Sequence, residues 1–126
     1  TTEPQGHRAI GELVTVPLLD GLTQPLTGFE NHGGGTVLGP DAAPLGRVVA
    51  GVGNGTPQGR EPDRVAYDGA VQGSIIATYM HGPVLARNPE LADLLLQRAT
   101  GAALEPLEVP GVAELRAERL AGVQLS

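Results

Sequence analysis

The chain has 126 residues, enough for one compact domain but not comfortably for two. Its net charge of −6 argues against unaided binding to nucleic acid or an anionic membrane. It contains no cysteine, which excludes disulfides and thiolate metal sites.

In chain order, Ile10 to Val16 reads as a short β-branched strand ending at Pro17, and Leu18 to Pro25 as a turn-rich connector. Leu26 to His32 predicts a second strand, broken by Gly33-Gly34-Gly35. Arg47 to Val52 is a third strand, leading into the turn signal Gly53-Asn54-Gly55. Thr56 to Asp63, polar and rich in Pro and Gly, predicts a mobile loop. Arg64–Tyr67 and Val71–Tyr79 read as two strands around Asp68-Gly69. The second of these carries the apolar run Ser74-Ile75-Ile76-Ala77, expected of a strand covered on both faces.

Asn88-Pro89-Glu90 is a helix start with Asn88 as cap, Pro89 at the first helical position and Glu90 facing the positive end of the dipole. Leu91, Leu94, Leu95 and Ala99 continue at helical spacing, and Gly101 supplies the stop. A weaker helix is expected from about Val112 to Ala121, with Leu115 and Leu120 as its apolar contacts. Strands followed by helices fit an α/β or α+β architecture. The core must be built from Leu, Val, Ala and Ile, because Phe29, Tyr67 and Tyr79 are the only aromatic residues.

No apolar run approaches the roughly 18 residues that span a bilayer, and no signal peptide is visible. The chain is therefore expected to be soluble and cytoplasmic. It opens on Thr1-Thr2-Glu3-Pro4 without an initiator Met, as expected of a fragment or processed half of a longer protein.

Two histidines stand in suggestive settings. His81 follows the most apolar strand and precedes a rigid Gly82-Pro83 turn. Sites in open α/β folds assemble at such strand ends, where an imidazole can move protons near neutral pH. The alternative is a histidine that only hydrogen-bonds a turn. His32 precedes three glycines, where backbone amides can approach a ligand, or where a hairpin leaves a half-exposed ring. Glu30 and Asn31 are similarly open. No third metal ligand is signalled beside the two histidines. Arg8, in Gly6-His7-Arg8, offers a bidentate partner for a carboxylate or is a solvated chain-end arginine. Neither glycine-rich turn is followed by Lys-Ser/Thr or a clear helix start, so nucleotide binding is not expected.

Gly28-Phe29-Glu30-Asn31-His32-Gly33-Gly34, Gly53-Asn54-Gly55, Thr78-Tyr79-Met80-His81-Gly82-Pro83 and Asn88-Pro89 occur in that order. Over about Gly6 to Gly122 the chain resembles the C-terminal half of the GatD family. These are the glutaminase subunits of lipid II isoglutaminyl synthase, among the cobyric-acid-synthase-like class I glutamine amidotransferases. The resemblance implies an α/β, flavodoxin-like fold, of which residues 1–126 form the C-terminal part, with a mixed sheet and flanking helices. The nucleophile-bearing part of the same domain is then absent.

It further implies that His81 is the catalytic histidine and Arg8 the residue that holds L-glutamine. Phe29–Gly34 becomes a wall of the glutamine pocket. The implied reaction hydrolyses glutamine and passes ammonia to a MurT-type, Mur-ligase-family synthetase, which uses ATP to amidate the D-glutamate of lipid II during peptidoglycan synthesis. No cofactor or metal of the chain's own is implied. This chain departs from the pattern in three ways: it has no Cys nucleophile, Gly35 stands where a basic residue is common, and Pro83 replaces the Glu that many class I enzymes place two residues after the His. Without that Glu, the third triad member is unassigned. Two other readings are a corrinoid-amidating glutaminase, and a pseudo-glutaminase that only holds a synthetase.

Overall fold

A computed structural model describes residues 1–125 of the chain. Two long strands dominate it, β1 (Thr2–Pro17) and β2 (Leu26–Thr36). They pair antiparallel from Thr2↔Thr36 to Thr15↔Leu26, with an irregularity between Pro4 and Ala9. On the other edge of β1, β3 (Gly46–Ala50) pairs with Val14–Pro17, and β4 (Tyr67–Asp68) pairs with β3. The sheet order is β2-β1-β3-β4. A separate hairpin joins β5 (Ala70–Gln72) to β6 (Ile75–Ala77), and three helices follow: α1 (Val84–Arg87), α2 (Pro89–Thr100) and α3 (Val112–Leu120). All pairings among the described strands are antiparallel, so they supply no parallel component of a mixed sheet.

Both long strands extend beyond their sequence signals. The Gly33-Gly34-Gly35 run, expected to break β2, lies inside it. A Cβ on Gly34 would meet Thr2 Cγ2 at 2.9 Å, and one on Gly35 would meet Pro57 N at 2.6 Å. These glycines thus let neighbouring chain approach rather than turn the strand. Any side chain at position 35 would meet that crowding. Conversely, the strand expected over Val71–Tyr79 is cut by a hairpin turn in which Gly73 takes φ +59°. Ile75 is 65% exposed, so this run is not a strand covered on both faces.

Leu13, Leu22, Leu26, Leu45, Met80 and Leu91 form the buried core. Each such side chain contributes roughly 1.5–3 kcal/mol by leaving water. α2 and α3 follow the predicted spans closely, and Gly101 ends α2 in the left-handed conformation at φ 73°.

Asn88 plays a different part from the expected one, because its side chain does not cap α2. It is buried, accepts from Thr27 N through Oδ1, and donates through Nδ2 to Thr27 O and Val84 O. The helix is thereby tied to β2. Glu90 accepts from Thr23 N, Thr23 Oγ1 and Gln24 N, holding the β1–β2 connector against the start of α2. Burial opposes ionisation of Glu90, but those hydrogen bonds and the nearby Arg116 charge outweigh it and hold its carboxyl below the ordinary value. Arg116 on α3 donates to Arg87 O, Asn88 Oδ1 and Pro25 O. No described helix is long and apolar enough to cross a membrane.

Candidate active site

The two histidine-bearing motifs come together on β2. Met80, 6% exposed, packs against Gly28 so closely that a Cβ there would lie 2.6 Å from Met80 Cβ and Cγ. Gly28 is therefore what lets the Thr78–His81 segment lie beside β2. The next residues form an isolated antiparallel bridge, Phe29↔His81, in which His81 N donates to Phe29 O at 2.6 Å. His81 thus lies on an exposed surface, bridged to the antiparallel neighbour β2, rather than directly after a strand covered on both faces.

The imidazole of His81 is oriented from behind. Its Nδ1 lies 2.6 Å from Tyr79 O. A carbonyl can only accept, so Nδ1 carries a proton, and in the neutral ring Nε2 is the nitrogen with the lone pair. Among the described residues Nε2 has no hydrogen-bond partner. This is the arrangement a proton acceptor needs.

Behind that surface lies a buried polar network that the sequence did not predict. The Glu30 carboxylate, 2% exposed, accepts from Val52 N at 2.7 Å, Gly53 N at 2.9 Å and His32 Nε2 at 3.0 Å. The other nitrogen of His32, Nδ1, lies 3.0 Å from Gly34 O. Both His32 nitrogens face acceptors, so the ring ties β2 to itself and is occupied internally. It also stacks on Tyr79, with ring centroids 3.8 Å apart.

Asn54 continues the network, donating from Nδ2 to Gly69 O and accepting from Gly69 N. Asp68 accepts from Thr78 Oγ1 and from Tyr79 N at 3.1 Å. Burial pushes the Asp68 carboxyl above the ordinary value and the Glu30 charge adds to the rise, against hydrogen bonds from Thr78, Tyr79 and Gly69.

Arg8 lies in the β1 irregularity, exposed, with Nε donating to Asn31 Oδ1 at 2.7 Å. Asn31 stands two residues from Phe29 on β2, about 7 Å along the strand, so Arg8 and His81 flank one stretch of β2. Ile10, opposite Asn31, is 64% exposed and Phe29 39%, giving this face an apolar centre between a guanidinium and an imidazole. A groove of about 870 Å³ lies elsewhere, lined by His7 and Tyr67 with Arg60 and Asp63 of the Thr56–Asp63 loop. His81 is not among its lining residues. No group of three His, Asp or Glu among the described residues is placed to hold a metal ion.

Sequence reasoning singled out His81 and Arg8 and left Glu30 and His32 open. It missed Gly28, Asp68 and Tyr79 as parts of the site. The signal for Asp68 was present in the Asp68-Gly69 pair but was read as a turn alone.

The sequence pattern of the CobB/CobQ-like glutamine amidotransferase domain matches residues 1–89. The lipid II isoglutaminyl synthase (glutamine-hydrolyzing) subunit GatD of Staphylococcus aureus is 34% identical, over 94% of this chain and 45% of its own length. Its counterpart in Streptococcus pneumoniae is 42% identical over 57% of this chain and 25% of its own length. A probable cobyric acid synthase of Methanothermobacter thermautotrophicus is 44% identical over 47% of this chain and 10% of its own length. The chain thus spans less than half the length of these relatives. The segments carrying its two buried or bridging histidines fall within the matched region, and the chain belongs to the CobB/CobQ-like glutamine amidotransferase family.

Proposed function

We propose that this chain is the histidine-bearing, C-terminal part of a single class I glutamine amidotransferase domain of flavodoxin-like fold. It serves as part of a cytoplasmic glutaminase that feeds ammonia to a synthetase. The observation that carries the reading is the solvent-facing Nε2 of His81, whose ring is held by Tyr79 O beside Phe29. The two relatives named as glutamine-hydrolyzing subunits supply the substrate.

The nucleophile is a cysteine thiol contributed by the rest of the domain, seated over the open Ile10–Phe29 face. His81 Nε2 takes the thiol proton, and the thiolate attacks the side-chain amide carbon of glutamine. When the tetrahedral intermediate collapses, the C–N bond breaks and the imidazolium gives its proton to the departing ammonia. Water activated by the same Nε2 then cleaves the thioester, releasing glutamate and restoring the thiol. Backbone amides near the nucleophile stabilise the oxyanion. Arg8, with only Nε engaged by Asn31, presents its remaining N–H groups to the glutamine α-carboxylate.

Ammonia passes to a MurT-like, Mur-ligase-family synthetase in a heterodimer, which uses ATP to activate the D-glutamate carboxyl of lipid II. The glutaminase part needs no cofactor. A corrinoid acceptor is the second reading, favoured by the cobyric acid synthase likeness, though that likeness covers less of the chain.

The test is ammonia release from glutamine by the complete protein, with and without the synthetase and its acceptor. Hydrolysis by the complete protein, with none from residues 1–126 alone, is expected. A complete protein that binds the synthetase but releases no ammonia overturns the reading in favour of a non-catalytic module.

A further inference from the structure

Class I amidotransferases that carry a third triad residue use a carboxylate to orient the histidine, and among the described residues no carboxylate contacts His81. We infer that the main-chain carbonyl of Tyr79 does this work, and that Asp68 and Thr78 are positioning residues that fix the carbonyl. The inference rests on His81 being the proton carrier proposed above.

Four observations support it. First, Tyr79 O is the acceptor at His81 Nδ1, at 2.6 Å, which selects the tautomer with Nε2 unprotonated. Second, the backbone bearing that carbonyl is pinned at successive residues. Asp68 takes Thr78 Oγ1–H and Tyr79 N–H, while Thr78 Oγ1 accepts from Met80 N at 3.0 Å. Third, the Tyr79 ring is immobilised on its own account. It stacks on His32, and its hydroxyl pairs with Thr36 Oγ1 at 2.7 Å. Fourth, Asp68 is 1% exposed, and its strand end is held by Asn54 through Gly69.

Three of the four ordered motifs of the sequence therefore form one connected structure through Asp68 and Gly69. Glu30 fixes Gly53, Asn54 fixes Gly69, Asp68 fixes Tyr79, and Tyr79 O sets the His81 ring. A buried, fully hydrogen-bonded network of this kind is rigid, which a general base needs. Asp68 touches no reacting atom, so its effect is on geometry and not on the chemistry directly.

The experiment uses the complete protein labelled with 15N in its histidine rings, the His81 signals being assigned by their loss in His81→Ala. Long-range 1H–15N correlation spectra read the neutral tautomer directly. Wild type is expected to show a pyridine-like Nε2 and a protonated Nδ1. Asp68→Asn and Thr78→Val should each move His81 toward the Nε2–H form and lower kcat about tenfold with KM within about twofold, since only base geometry is touched.

An Nε2–H tautomer in wild type overturns the inference. So do variants in which both the tautomer and kcat are unchanged. A wild-type protein without glutaminase turnover refutes the proposed function but leaves this inference to the tautomer alone.

Discussion

Gly28→Ala tests how the site is assembled, because the added methyl falls where the Met80 segment meets β2. Its Cβ lies 2.6 Å from Met80 Cβ and Cγ and 2.9 Å from Sδ. Ordinary carbon contacts sit at about 3.5–4.0 Å, so the two chains must part by about 1 Å. Overpacking of a filled core costs about 1–3 kcal/mol. Alanine recovers about 0.5–1 kcal/mol of the entropic penalty of glycine in a strand. The net loss is about 0–2.5 kcal/mol, and its midpoint, about 1.3 kcal/mol, lowers Tm by about 5 °C in a domain of this size.

The same displacement stretches the 2.6 Å bond from His81 N to Phe29 O. Amide hydrogen exchange at His81 should therefore speed up more than exchange at Val48 on β3, which lies on the far side of β1 from Gly28 and donates to Ala66 O. A thermal melt paired with site-resolved exchange measures both effects. An unchanged Tm with unchanged protection of the His81 amide would refute the claim that Gly28 sets the approach of the histidine segment.

Glu30→Gln keeps the size of the side chain but turns one of its two accepting oxygens into an amide donor facing Val52 N, or Gly53 N and His32 Nε2, and should cost about 1–3 kcal/mol in urea unfolding. Asp68 titrates above its ordinary value in the folded chain, so the native state holds that proton more tightly than the unfolded state. The stability this confers is full below the ordinary carboxylate range and is lost as pH rises through the raised native value. Asp68→Asn lacks that dependence. The stability advantage of wild type over the variant should therefore shrink as pH rises from the ordinary carboxylate range through the raised native value in urea titrations, and a constant gap contradicts the assignment. In the complete protein, Arg8→Ala removes a charge-assisted contact worth about 1.5–3 kcal/mol, so KM for glutamine should rise roughly 10- to 150-fold with little change in kcat. Steady-state kinetics decides it.

What could be read from the sequence was local chemistry with one dominant partner. The Asn88-Pro89-Glu90 start and the Gly101 stop place α2 because proline and left-handed glycine each restrict the backbone strongly. The glycines of β2 misled for the same reason. Glycine signals a turn when its own φ demands it, but at Gly34 and Gly35 the demand comes from Thr2 and Pro57, which lie far off in sequence.

Asn88 followed the same rule. Its cap role is the local choice, and tertiary pairing with Thr27 won because a buried amide must satisfy both of its ends. The candidate site divides along the same line. His81 was visible from its motif, whereas its orientation by Tyr79 and Asp68 depends on a hairpin turn at Gly73 that no periodicity announces.

The central claim is that His81 moves the proton, and the direct measurement is glutamine hydrolysis by the complete protein bearing His81→Ala. The ring is exposed and fills no core space, so the variant should fold as wild type does by circular dichroism. Loss of general acid–base catalysis should lower kcat by about 10²- to 10⁴-fold. A folded His81→Ala protein that turns over glutamine within about twofold of wild type contradicts the account.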